Sequence, residues 1–215
     1  MELLKDFIDL FLHLDQHLSR VIAAYGTWTY GILFLIIFCE TGLVVTPFLP
    51  GDSLLFAAGT FAGMGSLNPV LLGLLLFAAS ALGDSTNYWI GRFVGPRAFS
   101  GNIRLLKKEY LDKTHAFYER HGRKTVFLAR FLPIVRTFAP FVAGVGAMSY
   151  PRFLAMSLSG SLCWVGLFVG AGYFFGNLRV VRENFTLVVM GIIAISLLPM
   201  AIEFARAWAA GRRTE

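Results

Sequence analysis

Charge is scarce in this sequence. Asp, Glu, Lys and Arg make up 15% of its 215 residues, against about 25% in a typical soluble domain. Hydrophobic residues fill 56% and aromatics 15%, and the mean hydropathy is +0.65. That balance excludes an ordinary water-soluble fold and points to a chain that lives in lipid. Cysteine is scarcer still. Cys39 and Cys163 both lie inside apolar runs, which excludes a disulfide framework or a zinc cluster and predicts two small buried hydrophobes. The four histidines, His13, His17, His115 and His121, fall in amphipathic stretches, where surface placement is expected rather than metal binding. The sequence has no Ser-His-Asp order, HExxH, P-loop or CxxC, so nothing in it requires an enzyme, and no cofactor or metal is expected. The opening residues, MELLKDFIDLF, mix acids into an apolar run and lack a basic start, so no cleavable signal peptide is expected.

What the chain does have is a series of long apolar stretches. Residues 3–22 carry Leu3, Phe7, Leu10, Leu14, Leu18 and Val21 at helical spacing, with Asp6, Asp9, His13 and Gln16 opposite. This predicts an N-terminal amphipathic helix, lying in the interface or packed on the core. Residues 27–49 and 69–91 are apolar, as is the shorter run 53–64. Residues 152–175 and 184–205 read as the cleanest spanning helices. The net charge is +6, and nine of the 19 Lys and Arg lie between Arg92 and Lys124. Set between hydrophobic segments, that run does not suit nucleic acid. It fits a cytoplasmic loop under the positive-inside rule, with residues 103–121 as a basic amphipathic helix. The basic tail from Gly211 to Glu215 is expected on the same side. Division at 1–26, 27–175 and 176–215 separates the amphipathic start, a membrane core, and a last spanning helix with its tail.

Two of the apolar stretches are broken in the same way. Phe48-Leu49-Pro50 is followed nine residues later by Gly59 of an Ala-Gly pair, and Phe131-Leu132-Pro133 eleven residues later by Gly144 of another; Pro140 interrupts the second stretch again. Proline has no N–H to give a helix and turns the residue before it away from helix. Broken backbone at membrane depth survives only where protein or a wet cavity covers it. Paired breaks in two halves are the mark of an inverted-repeat transporter with its site near the midplane. The expected fold is therefore an all-α polytopic membrane protein. Residues 27–64 and 125–148 would form two opposed re-entrant helical hairpins beside spanning and interfacial amphipathic helices. Two spanning helices kinked at proline are the alternative.

Five ionisable residues interrupt these runs: Glu40, Asp52, Asp84, Arg130 and Arg136. Each costs roughly 2.5–3.5 kcal/mol or more at the centre of a lipid-facing helix, so they should face an interior. The first broken stretch holds the acids Glu40 and Asp52, and the second the bases Arg130 and Arg136, so facing hairpins bring acid to arginine. Such pairs could simply fix the packing. They could also form a coupling site, in which a carboxylate takes up a proton as its arginine leaves for an anionic substrate, since the arginine fork grips phosphate and keeps its charge. Asp84 points either to the same cavity or to a wet helix end.

Glu40 with Phe48-Leu49-Pro50-Gly51-Asp52, Gly83-Asp84 with Tyr88 and Ile90-Gly91-Arg92, and Phe127-x-x-Arg130-Phe-x-Pro133-x-x-Arg136-Thr137 with Pro140 and Ala143-Gly144 together resemble the DedA family. It is also called the SNARE-associated or VTT-domain family. The resemblance spans about residues 27–175. It implies a multi-pass protein of the bacterial inner membrane with two opposed re-entrant hairpins. Bacterial relatives are implicated in recycling undecaprenyl phosphate or translocating phospholipid, and in proton-dependent tolerance of alkali and cationic compounds; eukaryotic relatives are lipid scramblases. The positions that matter in the family match Glu40, Asp52, Arg130 and Arg136, with Pro50, Gly51, Asp84, Pro133, Pro140 and Gly144 in support. The expected function is lipid transport by a flippase for a lipid phosphate or phospholipid, coupled to the proton motive force. A proton-coupled antiporter for small cations or drugs and a non-transporting scaffold are the alternatives. The partners expected are the lipid substrate and protons, with a homo-oligomer left open and the side of the N-terminus undecided.

Overall fold

Proline, glycine and asparagine set where the helices start and stop. The computed structural model describes residues 14–43, 51–100, 126–127, 130, 133–146, 148–195 and 198. Its helices are α1 (Leu14–Tyr25), α2 (Trp28–Gly42), α3 (Gly51–Gly63), α4 (Pro69–Ser100), α5 (Pro133–Val145), α6 (Tyr150–Phe175), α7 (Arg179–Glu183) and α8 (Phe185–Ile195). No strand occurs among the described residues. The basic segment 103–121, the Phe48-Leu49-Pro50 break, residues 1–13 and the end of the 184–205 run lie outside them.

The turn between α3 and α4 shows how local sequence shapes the fold. Gly65, at φ +81°, takes the left-handed position after α3. There its N–H donates to Ala62 and the Ser66 N–H donates back to Phe61, the paired bonds of a Schellman ending. Asn68 then caps α4, its Oδ1 accepting from the Val70 and Leu71 N–H groups at 3.0 Å each, with Pro69 at the first helical position. The Asn68 N–H itself donates to the Tyr30 hydroxyl at 2.6 Å. That bond brings the start of α2 to the end of α3. At the opposite end of the pair, the Gly51 backbone lies so close to the Glu40 carboxylate that a Cβ there would overlap it. The start of α2 thus lies beside the start of α4, and the end of α2 beside the start of α3.

Length separates the helices into two kinds. Pro69–Val94 of α4 and the whole of α6 are each apolar spans of 26 residues, or about 39 Å at 1.5 Å per residue, enough to cross a ~30 Å hydrocarbon layer. Helix α2 has 15 residues, and α3 and α5 have 13 each; at roughly 20 Å they are too short for that. Only 39% of each long apolar window is buried inside the protein. Leu74, Leu82, Leu162, Leu167 and Phe174 stand exposed along α4 and α6. Long apolar helices with an uncovered apolar face fit a lipid surround rather than a soluble core.

The strongest packing pairs α3 with α6 and α5 with α4. Both Ala-Gly pairs of the repeat sit at these crossings. A Cβ on Gly59 would strike the Val169 carbonyl of α6, and one on Gly144 the Tyr88 carbonyl of α4. Absence of a side chain lets the backbones touch, the usual device for helix contact in membranes. Pro140 is buried inside α5. Helices α4 and α6 run antiparallel, tied by Ser80 to Ser161 at 3.3 Å and Tyr150 to Ser85 at 3.2 Å. Helix α1 lays Leu14 and Leu18 into the main apolar cluster around α3. Its described part continues to Tyr25, beyond the 3–22 stretch expected from the sequence.

One expectation is corrected, and one of two alternatives is excluded. Cys163 is exposed on α6 and Cys39 is only half-buried, so neither is the fully buried hydrophobe that apolar neighbours suggested; a lipid-facing helix side is as apolar as a core. Asp84 is not a wet helix end. It sits within α4 and is 1% exposed.

Candidate functional site

Helix α5 starts at Pro133, and its first turn places Arg136 inward. A cation there opposes the positive end of the helix dipole, so it needs compensation close by. Two carboxylates supply it. Arg136 Nη1 donates to Asp52 Oδ1 at 2.5 Å, and Nη2 donates to Glu40 Oε1. Glu40 lies near the end of α2 and is fully buried; Asp52 lies in the first turn of α3, where an acid is favoured, and is 9% exposed. One guanidinium thus joins the end of α2 and the start of α3 to the start of α5.

Arg130 takes a different acid. Its Nη1 donates to Asp84 Oδ2 of α4, which also accepts the Ser157 hydroxyl of α6 at 2.5 Å. The sequence led to an expectation of acids and arginines meeting between the two broken stretches. Arg136 does this with both Glu40 and Asp52, whereas Arg130 reaches the spanning helix instead. Asn87, one turn beyond Asp84, donates to the Thr41 carbonyl at 3.1 Å and the Thr137 carbonyl at 2.6 Å. It ties the end of α2, where helix carbonyls are left to satisfy, to the beginning of α5.

Trp164 of α6 lies between the two ion clusters and is 1% exposed. Its indole N–H donates to Asp52 Oδ1 at 2.8 Å. The guanidinium carbons of Arg130 and Arg136 stand 5.3 and 4.8 Å from its ring centroid, within cation–π range. Sequence reasoning missed Trp164 and Ser157, because in an apolar run a tryptophan or serine carries no sign of the charge it will meet. The only available signal was helical spacing: Ser157, Gly160, Ser161 and Trp164 fall on one face of α6. Gly160 leaves that face open for the Arg130 side chain, whose Cδ would lie 3.4 Å from a Cβ at 160.

Among the supporting residues, Gly51 and Gly144 lie at close backbone approaches and Pro133 opens α5. Pro50 lies outside the described residues. Several buried polar atoms have no hydrogen-bond partner among the described residues: Arg130 Nε and Nη2, Arg136 Nε, Asp84 Oδ1 and Asn87 Oδ1. Buried polar atoms are rarely left so; the arginine nitrogens are places for water or a ligand oxygen, the two side-chain oxygens for water or another donor. Among the described residues no three His, Cys, Asp or Glu side chains gather to hold a metal ion.

The family profile of the VTT domain matches residues 49–174. Protein DedA of Escherichia coli (strain K12) is 55% identical over 209 residues, 96% of this chain and 95% of the relative. A protein of Mycobacterium leprae (strain TN), named as an uncharacterized membrane protein, is 46% identical over 169 residues, 78% of this chain and 76% of its own. Inner membrane protein YqjA of Escherichia coli (strain K12) is 34% identical over 149 residues, covering 69% and 68%. No solved structure matches the chain. The profile covers more than half of the sequence and the identity to Protein DedA runs along nearly all of it, so this chain belongs to the DedA family of VTT-domain membrane proteins.

Proposed function

We propose that this protein is a flippase for a lipid bearing a phosphate, driven by protons across the bacterial inner membrane. The observation that carries the proposal is Arg136 held between Glu40 and Asp52, all three buried, where two helices too short to cross the membrane meet a third. An arginine that must leave carboxylates to meet a phosphate is a device for exchanging one anion for another. Three buried acids, Glu40, Asp52 and Asp84, face two buried arginines, Arg130 and Arg136. Holding one proton brings that set to charge balance, and this supports coupling to protons.

The packing supports two opposed re-entrant hairpins related as an inverted repeat. Each short helix that follows a break lies on the long helix of the other half, α3 on α6 and α5 on α4. Both ends of the first hairpin then share one face of the membrane with the start of α4. The end of α4 then faces the cytoplasm and α1 lies on the other side. The multi-pass arrangement in the inner membrane belongs to the same proposal, and the name of the YqjA relative agrees with it.

Purified protein in vesicles, given a labelled lipid phosphate with and without a pH gradient, tests the function. The native protein should speed lipid movement, more so with the gradient. Arg130→Ala and Arg136→Ala should abolish it, and Glu40→Gln should leave movement insensitive to the gradient. Normal flipping by both arginine variants excludes the function. The excess of acids over arginines also suits a proton-coupled antiporter for small cations. There, Glu40→Gln or Asp52→Asn should remove cation-dependent proton release from vesicles in which no lipid phosphate moves.

A further inference from the structure

We infer that Trp164 holds Arg130 and Arg136 as one phosphate-binding pair and links that pair to the charge on Asp52. This rests on the proposed binding of a lipid phosphate at the arginines and adds the residue that organises them.

The two arginines have separate carboxylate partners on separate helices, yet both guanidiniums lie against one indole, 5.3 and 4.8 Å from its centroid. Those two distances laid end to end bound their separation, and gripping a single phosphate from two sides requires the pair to close further as the arginines leave their carboxylates. Their remaining buried donors, Arg130 Nε and Nη2 and Arg136 Nε, have no partner among the described residues. Those are the donor types that a phosphate oxygen accepts from. An indole face attracts a cation without neutralising it and without fixing one geometry. It therefore steadies a guanidinium that has left its carboxylate and still leaves the charge available to an anion.

The ring is itself held. Its N–H donates to Asp52 at 2.8 Å, and a hydrogen bond to a charged acceptor is stronger than one to a neutral acid. Loss of the Asp52 charge would weaken at once its bond to Arg136 and its hold on the ring that both arginines lie on. Trp164 is thus a positioning residue. Its N–H reads the acid and its face carries the arginines, and these two roles can be separated by substitution. Trp164→Phe keeps an aromatic face and loses the N–H. Trp164→Leu loses both.

The test uses the full chain with Trp28, Trp89 and Trp208 replaced by phenylalanine, so that Trp164 is the single emitter. In dodecyl maltoside micelles, farnesyl phosphate should change its emission in a saturable way. Farnesol should not, nor should farnesyl phosphate once Arg136→Gln is added. In vesicles, Trp164→Leu should lower flipping of a labelled lipid phosphate at least tenfold. Trp164→Phe should retain flipping but shift its pH profile, which a purely structural residue would not do. Equal emission responses to farnesyl phosphate and farnesol overturn the inference, as does native flipping by folded Trp164→Leu. A phosphate-selective emission change in a protein that flips no lipid phosphate upholds the phosphate pair and removes only the transport. Flipping without any selective emission change does the reverse.

Discussion

Replacing Arg136 with glutamine tests whether the buried charge set is a single unit. Arg136 is 5% exposed and is bonded to Glu40 and Asp52 at once. Its loss strands two carboxylates away from water and near one another. Removing one partner of a buried pair typically costs about 3–5 kcal/mol. For a chain of this length, about 2–4 °C of melting temperature goes with each kcal/mol. Arg136→Gln should therefore melt roughly 6–20 °C below the native protein. The lower half of that range applies if the Trp164 N–H still supports Asp52. The decisive comparison is the triple variant Glu40→Gln, Asp52→Asn, Arg136→Gln, which leaves no charge in the cluster: two amides of the carboxylates' own shape, and a shorter one in place of the guanidinium. Neutralised clusters are often as stable as the ionic originals, so the triple variant should recover most of the lost temperature while flipping no lipid phosphate. Thermal denaturation in detergent, followed by the reaction of half-buried Cys39 with a thiol reagent, reads the stability. The reasoning fails if Arg136→Gln melts with the native protein, or if the triple variant is no more stable than the single one.

Three further outcomes follow from the contacts. Asp84→Ala leaves Arg130 buried without its carboxylate and should cost about 3 kcal/mol or more, whereas Ser157→Ala removes one hydrogen bond to that carboxylate and should cost about 1.5–3 kcal/mol; denaturation of the two side by side checks the order. Gly172→Ala drives a methyl group into the Phe56 carbonyl of α3 and should destabilise by about 1–3 kcal/mol, while Gly73→Ala, with nothing within 4 Å, should be neutral or slightly stabilising in the same assay. Asn68→Ala removes the cap of α4 and should cost about 0.5–2 kcal/mol with little effect on flipping.

The legible parts of the fold were those that a bilayer makes expensive. A charge in an apolar run has to be accounted for, and Glu40, Asp52, Asp84, Arg130 and Arg136 could all be picked out for that reason; all five are buried. The Pro133 start of α5 and the Asn68-Pro69 start of α4 were equally readable, because both act within one turn of backbone. Which acid each arginine would choose was not readable. The Arg130–Asp84 contact spans 46 residues and the Arg136–Glu40 contact 96, and no local rule sets that pairing. Trp164 was invisible for a related reason. Its value lies in what α3, α5 and the turn at Arg130 bring to its ring, and its own surroundings in sequence carry no charge. Cys163 marks the opposite failure, since in a membrane an apolar neighbourhood does not distinguish a core from a surface that faces lipid.

The division of labour between apolar and charged contacts bears on how such a site can turn over. The α3–α6 and α5–α4 crossings are glycine-lined and apolar where they touch, so they hold the halves together without reference to charge. The buried ion pairs among the described residues run elsewhere, from Arg136 of α5 to Glu40 of α2 and Asp52 of α3, and from Arg130 to Asp84 of α4. They can therefore rearrange while the crossings stay packed. A ligand shifts such an equilibrium only by what it binds more tightly in one arrangement than in the other. An anion that draws an arginine away leaves behind a buried carboxylate with no counter-charge, and that cost would cancel the gain from binding the anion. Uptake of a proton by the abandoned carboxylate removes the cost. On the proposed mechanism the entering phosphate and the proton thus favour one another at a single site, a proton for each carboxylate displaced. By the reciprocity of linked binding, lower pH must tighten the hold on lipid phosphate as much as lipid phosphate tightens the hold on protons. Lipid phosphate and proton would then travel in the same direction, whereas exchange of a cation for a proton at the same acids would require them to compete.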